Sequence, residues 1–199
     1  MAELGFLSFE ELLAQFFDRP EVEGELLRRY RTRAAVLVVD FTAMAKRTDD
    51  RGIVYALAMA RAAERAMAGA FESHEGTQVK RVADTLFVVF PSAGHALNAA
   101  LDAQRRLDVH NAGRHDHIRG CFGLGFGDVL LVPAVDVYGP EVNRAFVLGE
   151  DVAKGGEVLV TEAFLTALGG LPPGVGAHRG PADREEDAGF AFHVVADYR

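Results

Sequence analysis

Apolar positions along the chain switch between two periods. Residues 34–41, "AAVLVVDF", form a continuous β-branched run, which predicts a buried strand ending at Asp40. Residues 52–71 follow with helical spacing, Ile53, Leu57, Ala60, Met67 and Phe71 sharing one side. Residues 77–90 read as two strands around a tight turn at Ala83-Asp84, a hairpin. A second long helix covers 92–111, with Ser92 as its N-cap. "HIRGCFGLGFGDVLLV" (117–132) predicts two short strands around a glycine-rich bend. From Gly139-Pro140 the pattern is helical again, since proline is tolerated in a first turn. Val142, Ala145, Phe146, Gly149 and Ala153 make one apolar stripe there, and Asn143 sits about 100° round from it. Val147, one turn on, shares that off-core side.

A strand (156–161), a short helix (162–168), a proline-glycine-charge loop (171–189) and a last strand (190–198) complete the chain. The order is β-α-β-β-α-β followed by β-α-β-β. This is an α+β chain whose first six elements give a ferredoxin-like βαββαβ core, a sheet with two helices on one face. Ahead of it, residues 1–33 form an N-terminal helical segment, leaving 34–199 as the main domain. Ser8 and Glu11 have capping-box spacing, and Phe9, Leu12, Leu13, Phe16 and Phe17 form an apolar face. Such a face either packs on the domain or engages a partner or second copy.

Composition narrows the function. A length of 199 residues suits one domain with a small appendage. The net charge of −8 argues against sequence-independent nucleic-acid binding, which depends on Lys and Arg neutralising phosphates. Cys121 is the only cysteine, so neither an intrachain disulfide nor a cysteine zinc cage is available. No run approaches the ~20 apolar residues of a membrane span, and the acidic start "MAELGFLSFEELL" is unlike a signal peptide. A cytoplasmic location is the default expectation.

Two carboxylates stand out. Asp40 ends the central strand and Asp84 sits in the neighbouring hairpin turn, so the two can converge. Unpaired carboxylates repel unless a cation neutralises them, and Mg²⁺ prefers carboxylate and phosphate oxygens. From spacing alone, helix capping by Asp40 and turn formation by Asp84 are the simpler account. Strict alternation puts Gln78, Lys80, Val82 and Asp84 on one strand face. "GLGFG" (123–127) lacks dinucleotide-loop spacing and leads into a strand, so a tight bend or close backbone approach accounts for it better.

"VLVVDFTAM", "HEGTQVKRVADTLFVVF" and "DVYGPEVNRAFVLGEDVAKGGEVLVT" together resemble, in order and spacing, the catalytic domain of class III nucleotidyl (adenylate/guanylate) cyclases. The resemblance implies a head-to-tail homodimer with active sites at the interface. Asp40 and Asp84 match the two metal aspartates, which would hold two Mg²⁺ or Mn²⁺ ions. Lys80 and Asp136 match the pair reading adenine, contributed by the opposite protomer, and Asn143 matches the ribose-orienting residue. ATP would be converted to cyclic AMP and pyrophosphate. The sequence departs from the family in several places. Val147 stands where the transition-state arginine belongs, Ala83 replaces the glycine before the second metal aspartate, and Ala43-Met44 replaces a Gly-Phe. Arg179 is only a candidate for the C-terminal phosphate lysine. These losses imply slow turnover, or an inactive homologue acting as a nucleotide-binding, dimerisation or signalling module. Its N-terminal helices could then dock a signalling protein.

Overall fold

The computed structural model describes residues 7–196. Helices α1 (Phe9–Ala14) and α2 (Val22–Tyr30) precede the central strand β1 (Arg31–Phe41). Next come α3 (Met44–Arg51), α4 (Ile53–Ser73), the hairpin β2 (Thr77–Val82) and β3 (Thr85–Phe90), and α5 (Ala93–Asn111). The second half runs β4 (Gly120–Val132), β5 (Asp136–Tyr138), α6 (Pro140–Val147) and a π-helical turn, Leu148–Val152. It ends with β6 (Val158–Thr161), α7 (Glu162–Leu168), β7 (Gly176–Arg179), α8 (Ala182–Ala188) and β8 (Phe192–Ala196). Of the last predicted strand, residues 197–198 lie outside the described residues.

The strands form one sheet in the order β2-β3-β1-β4-β6-β8-β7, with β5 paired to β4. Its first four positions are the split βαβ order, and β1 runs antiparallel to both β3 and β4. The fold is therefore α+β around a ferredoxin-like βαββαβ core. Alternation along β1 sorts the core. Ala35, Leu37 and Val39 meet α4 and α5 with Leu86, Val88 and Phe122, whereas Ala34, Val36 and Val38 pack with Phe87, Val142 and Ala145 on the α6 side. Asp40 continues the second set, which brings its carboxylate to the α6 face.

Several elements differ from the sequence expectation. Residues 120–132 form one continuous strand, with no bend at the glycines. A Cβ on Gly123 would lie 2.1 Å from the Ala145 carbonyl oxygen, and one on Gly125 2.4 Å from that of Glu141. The glycines therefore let the α6 backbone lie directly on β4. On α4, Ala56, Ala60, Ala63, Met67 and Ala70 are buried, while Ile53 and Leu57 are exposed, because alanines form the close contact. The apolar stripe of α6 keeps Val142, Ala145 and Gly149 inside but leaves Phe146 partly exposed against Phe87. Past Val147 the helix widens into the π turn, closed by the Ala153 N–H donating to the Leu148 carbonyl at 2.8 Å. The segment 171–189 holds β7 and α8 rather than a loop alone.

The N-terminal helices divide between the two readings. The capping box forms: the Glu11 amide donates to Ser8 Oγ, and the Ser8 amide donates to Glu11 Oε2. Phe9, Leu12, Val22 and Leu26 are buried against Leu130 and Val132 of β4. Leu13 and Phe17 stay exposed, Phe17 at 92%. Among the described residues no helix is long and apolar enough to cross a membrane.

Candidate functional site

At the end of β1, Asp40 faces the β2–β3 turn that carries Asp84. The Thr85 hydroxyl bridges the acidic cluster, donating to Glu150 Oε2 at 2.7 Å and lying 3.5 Å from Asp40 Oδ1. Burial pushes the Asp40 carboxyl up to about 7, and the nearby charges of Glu150 and Asp84 push the same way against hydrogen bonds from Phe41 N–H and Thr85. The largest charges acting on it are the carboxylates of Glu150 and Asp84. Among the described residues, no three His, Cys, Asp or Glu side chains form a ready metal cage. Two carboxylates are nevertheless a sufficient protein contribution for Mg²⁺, which keeps water and substrate phosphates as its other ligands. The acidic surroundings of Asp40 fit such a cation.

Both altered turns keep the backbone that glycine would favour. Ala43 (φ 61°) and Ala83 (φ 53°) adopt the left-handed conformation despite their Cβ atoms. Ala43 is the N-cap of α3, and Arg47 is the first residue of that helix to bond back, to the Ala43 carbonyl at 2.9 Å. The amides of Met44, Ala45 and Lys46 therefore have no partner within the helix and suit an anion. Beside Asp40 on β4, Cys121 is buried, and burial followed by Asp40 pushes its thiol up to about 12. It is a core residue, not a nucleophile.

Lys80 and Asp136 meet within one chain, with Nζ 2.6 Å from Oδ1 and both side chains about three-quarters buried. A bulge between Gln78 and Lys80 breaks the expected alternation. Gln78 and Arg81 turn to Glu64 of α4, whereas Lys80 turns to the opposite face, over the Phe87 ring at 4.6 Å. Burial works against the Asp136 charge, but Lys80 and the Val137 amide outweigh it and hold the carboxyl below its ordinary range.

Asn143 is exposed on α6. Val147 does not face open solvent, since it packs against the cluster of Leu148, Val152, Leu159 and Phe192. Arg144 cannot readily stand in for the missing guanidinium: it pairs with the buried Glu141 at 2.6 Å and lies over Phe190 at 5.7 Å. Arg179 is not brought to this site by one chain. It is held by Glu185 at 2.8 and 2.9 Å on the edge strand β7, four strand spacings (about 19 Å) from β1. Thr85, Glu150 and Tyr138 belong to the neighbourhood but carry no distinctive sequence signal. Only adjacency to Asp84 and Asp136 could have pointed to Thr85 and Tyr138.

Solved structures share this fold. The chain superposes on an adenylate/guanylate cyclase/hydrolase from Silicibacter pomeroyi with a TM-score of 0.69 at 21% identity, covering 83% of this chain and 95% of that one. The adenylyl cyclase CyaB from P. aeruginosa gives 0.68 at 17% identity over 85% and 96% of the two chains. The fold is that of a class III nucleotidyl cyclase catalytic domain. A third structure with this cyclase fold, the catalytic core of a rhodopsin-guanylyl cyclase with converted specificity in complex with ATPαS, gives 0.69 at 17% identity over 84% and 97%. No protein-family model and no curated protein sequence matches the chain.

Proposed function

We propose that this cyclase-fold chain binds ATP with Mg²⁺ or Mn²⁺ at the interface of a head-to-tail homodimer and forms cyclic AMP and pyrophosphate slowly. The observation that carries this reading is the half-buried Asp40 carboxylate, set among the acids Asp84 and Glu150, close in the chain to the first-turn amides of α3 that have no partner within the helix. That combination calls for a cation and a phosphate together. Asp40 and Asp84 would hold the metal ions, which when bound favour loss of the ribose 3′-hydroxyl proton and offset phosphate charge. The amides of Met44, Ala45 and Lys46 would hydrogen-bond phosphate oxygens.

From the opposite protomer, Lys80 would donate to adenine N1 while Asp136 accepts from the amino group, a pattern that selects adenine. Asn143 would orient the ribose. The cyclase-fold core solved with ATPαS lends support to an adenine nucleotide in this fold. The test is cyclic AMP formation from ATP and Mn²⁺ by the full chain. Product that disappears in Asp40→Ala supports the enzyme reading, and no product with any divalent metal from dimeric protein refutes it.

A second reading has a specific observation behind it. Val147 is built into an apolar cluster and Arg144 is tied to Glu141 and Phe190, so neither position offers a free guanidinium for phosphoryl charge. Such a group can be worth about 10³–10⁵ in rate. A homologue that binds ATP as a signal without turning it over would show saturable ATP binding and no cyclic AMP.

A further inference from the structure

Two aromatic contacts connect the N-terminal helix to the candidate base-reading pair. Phe9 of α1 is stacked on Tyr138 of β5, with ring centroids 5.6 Å apart and planes 6° from parallel. Tyr30 of α2 meets the same Phe9 ring edge-on at 5.1 Å. Phe9 is itself buried, while Tyr138 keeps 40% of its surface exposed. On β5, Tyr138 and Asp136 are two residues apart and point to the same face. We infer that Tyr138, held flat by Phe9, is a positioning residue for the Asp136 carboxylate, so that the N-terminal helices help set which base the site accepts. This rests on the reading of Lys80 and Asp136 as the base-contacting pair.

The physical grounds are geometric. Asp136 has one strong partner, Lys80, and its own neighbouring amide from Val137 at 2.7 Å. A carboxylate held by one flexible lysine can swing about its χ angles. The Tyr138 phenol, two residues on and on the same strand face, is placed to limit that freedom, and its stack on Phe9 fixes the ring. The electrostatics agree: the Tyr138 phenol is pushed up first by burial and then by the Asp136 charge, and the same phenol helps hold Asp136 low. The N-terminal segment would then be part of the nucleotide site although it touches no nucleotide.

The experiment is calorimetric titration of the full chain, with Mn²⁺ present, by ATP, by ITP and by inorganic tripolyphosphate. ITP carries a carbonyl where adenine has its amino group. Wild type is expected to favour ATP over ITP. Tyr138→Phe keeps the ring and its stack but loses the hydroxyl. It is expected to weaken ATP binding about three- to tenfold, to shrink the ATP/ITP ratio by a similar factor, and to leave tripolyphosphate unchanged. Phe9→Leu, which keeps the site apolar but removes the stack, should move the ratio in the same direction with tripolyphosphate again unchanged. An ATP/ITP ratio in Tyr138→Phe equal to wild type overturns the positioning role. Wild type that does not distinguish ATP from ITP overturns the base-reading assignment itself, and the inference with it.

Discussion

A buried carboxylate beside other acids is more stable protonated, and at Asp40 burial first, then Glu150 and Asp84, push the pKa up to about 7. Against an unfolded value near ~3.9, the folded protein holds a proton that the unfolded chain has released between about pH 4 and pH 7. Stability of the metal-free protein should therefore fall as pH rises through that window. Asp40→Asn mimics the neutral acid. It is expected to melt at a higher temperature than wild type at pH 8, with the advantage shrinking towards pH 4. Mn²⁺ should raise the wild-type melting temperature at pH 8 and raise that of the variant much less. A variant no more stable than wild type at pH 8 would contradict this account of the cluster. Val147→Arg is expected to raise cyclic AMP formation about 10²-fold or more, at a stability loss of about 1 kcal/mol for the apolar packing removed. A product assay together with a denaturant melt checks both.

At the scale of elements, two turns and one strand hold the site in place. Ala43 and Ala83 sit in a left-handed conformation that costs an L-residue roughly 1–2 kcal/mol, partly offset by the smaller entropy of an unfolded alanine. Ala83→Gly is accordingly expected to stabilise the protein by about 0.5 kcal/mol, readable in denaturant unfolding. The reverse holds on β4. Gly125→Ala would place a Cβ against the Glu141 carbonyl and should cost roughly 2–3 kcal/mol. These same glycines mark what was legible in the sequence. The β-branched run of β1, the hairpin, the Ser8–Glu11 capping box and the Ser92 cap follow from local chemistry, and all appear. A glycine that admits a helix backbone reads the same as one that permits a bend, so β4 was legible only as two pieces. The bulge that turns Lys80 away from Gln78, and the π turn that carries Glu150 to Thr85, depend on tertiary contacts that no period encodes. Helix α8 buries no side chain and therefore gives no apolar stripe to read.

Across the whole molecule, the sheet separates two tasks. The face under α4 and α5 holds a large apolar core, while the α6 face carries the acidic end, the Lys80–Asp136 pair and Asn143. The positions of Asp40, Asp84, Lys80 and Asp136 were readable because three motifs fall in register on the βαββαβ frame. The pinning of Arg144 by Glu141 was not, because it follows from α6 lying on the glycines of β4. Asp40 and Asp84 at one end and Lys80 and Asp136 at the other belong to one chain, and the proposed head-to-tail pair would bring the acidic end of one copy to the Lys80–Asp136 end of the other. This α6-side surface is proposed to bind Mg²⁺- or Mn²⁺-ATP. Isothermal calorimetry of the full chain with ATP and Mn²⁺ tests it most directly. Saturable binding that is lost in Asp40→Ala and weakened in Lys80→Ala is the expected result. Folded wild-type protein that binds no ATP, or binding untouched by both substitutions, would contradict it.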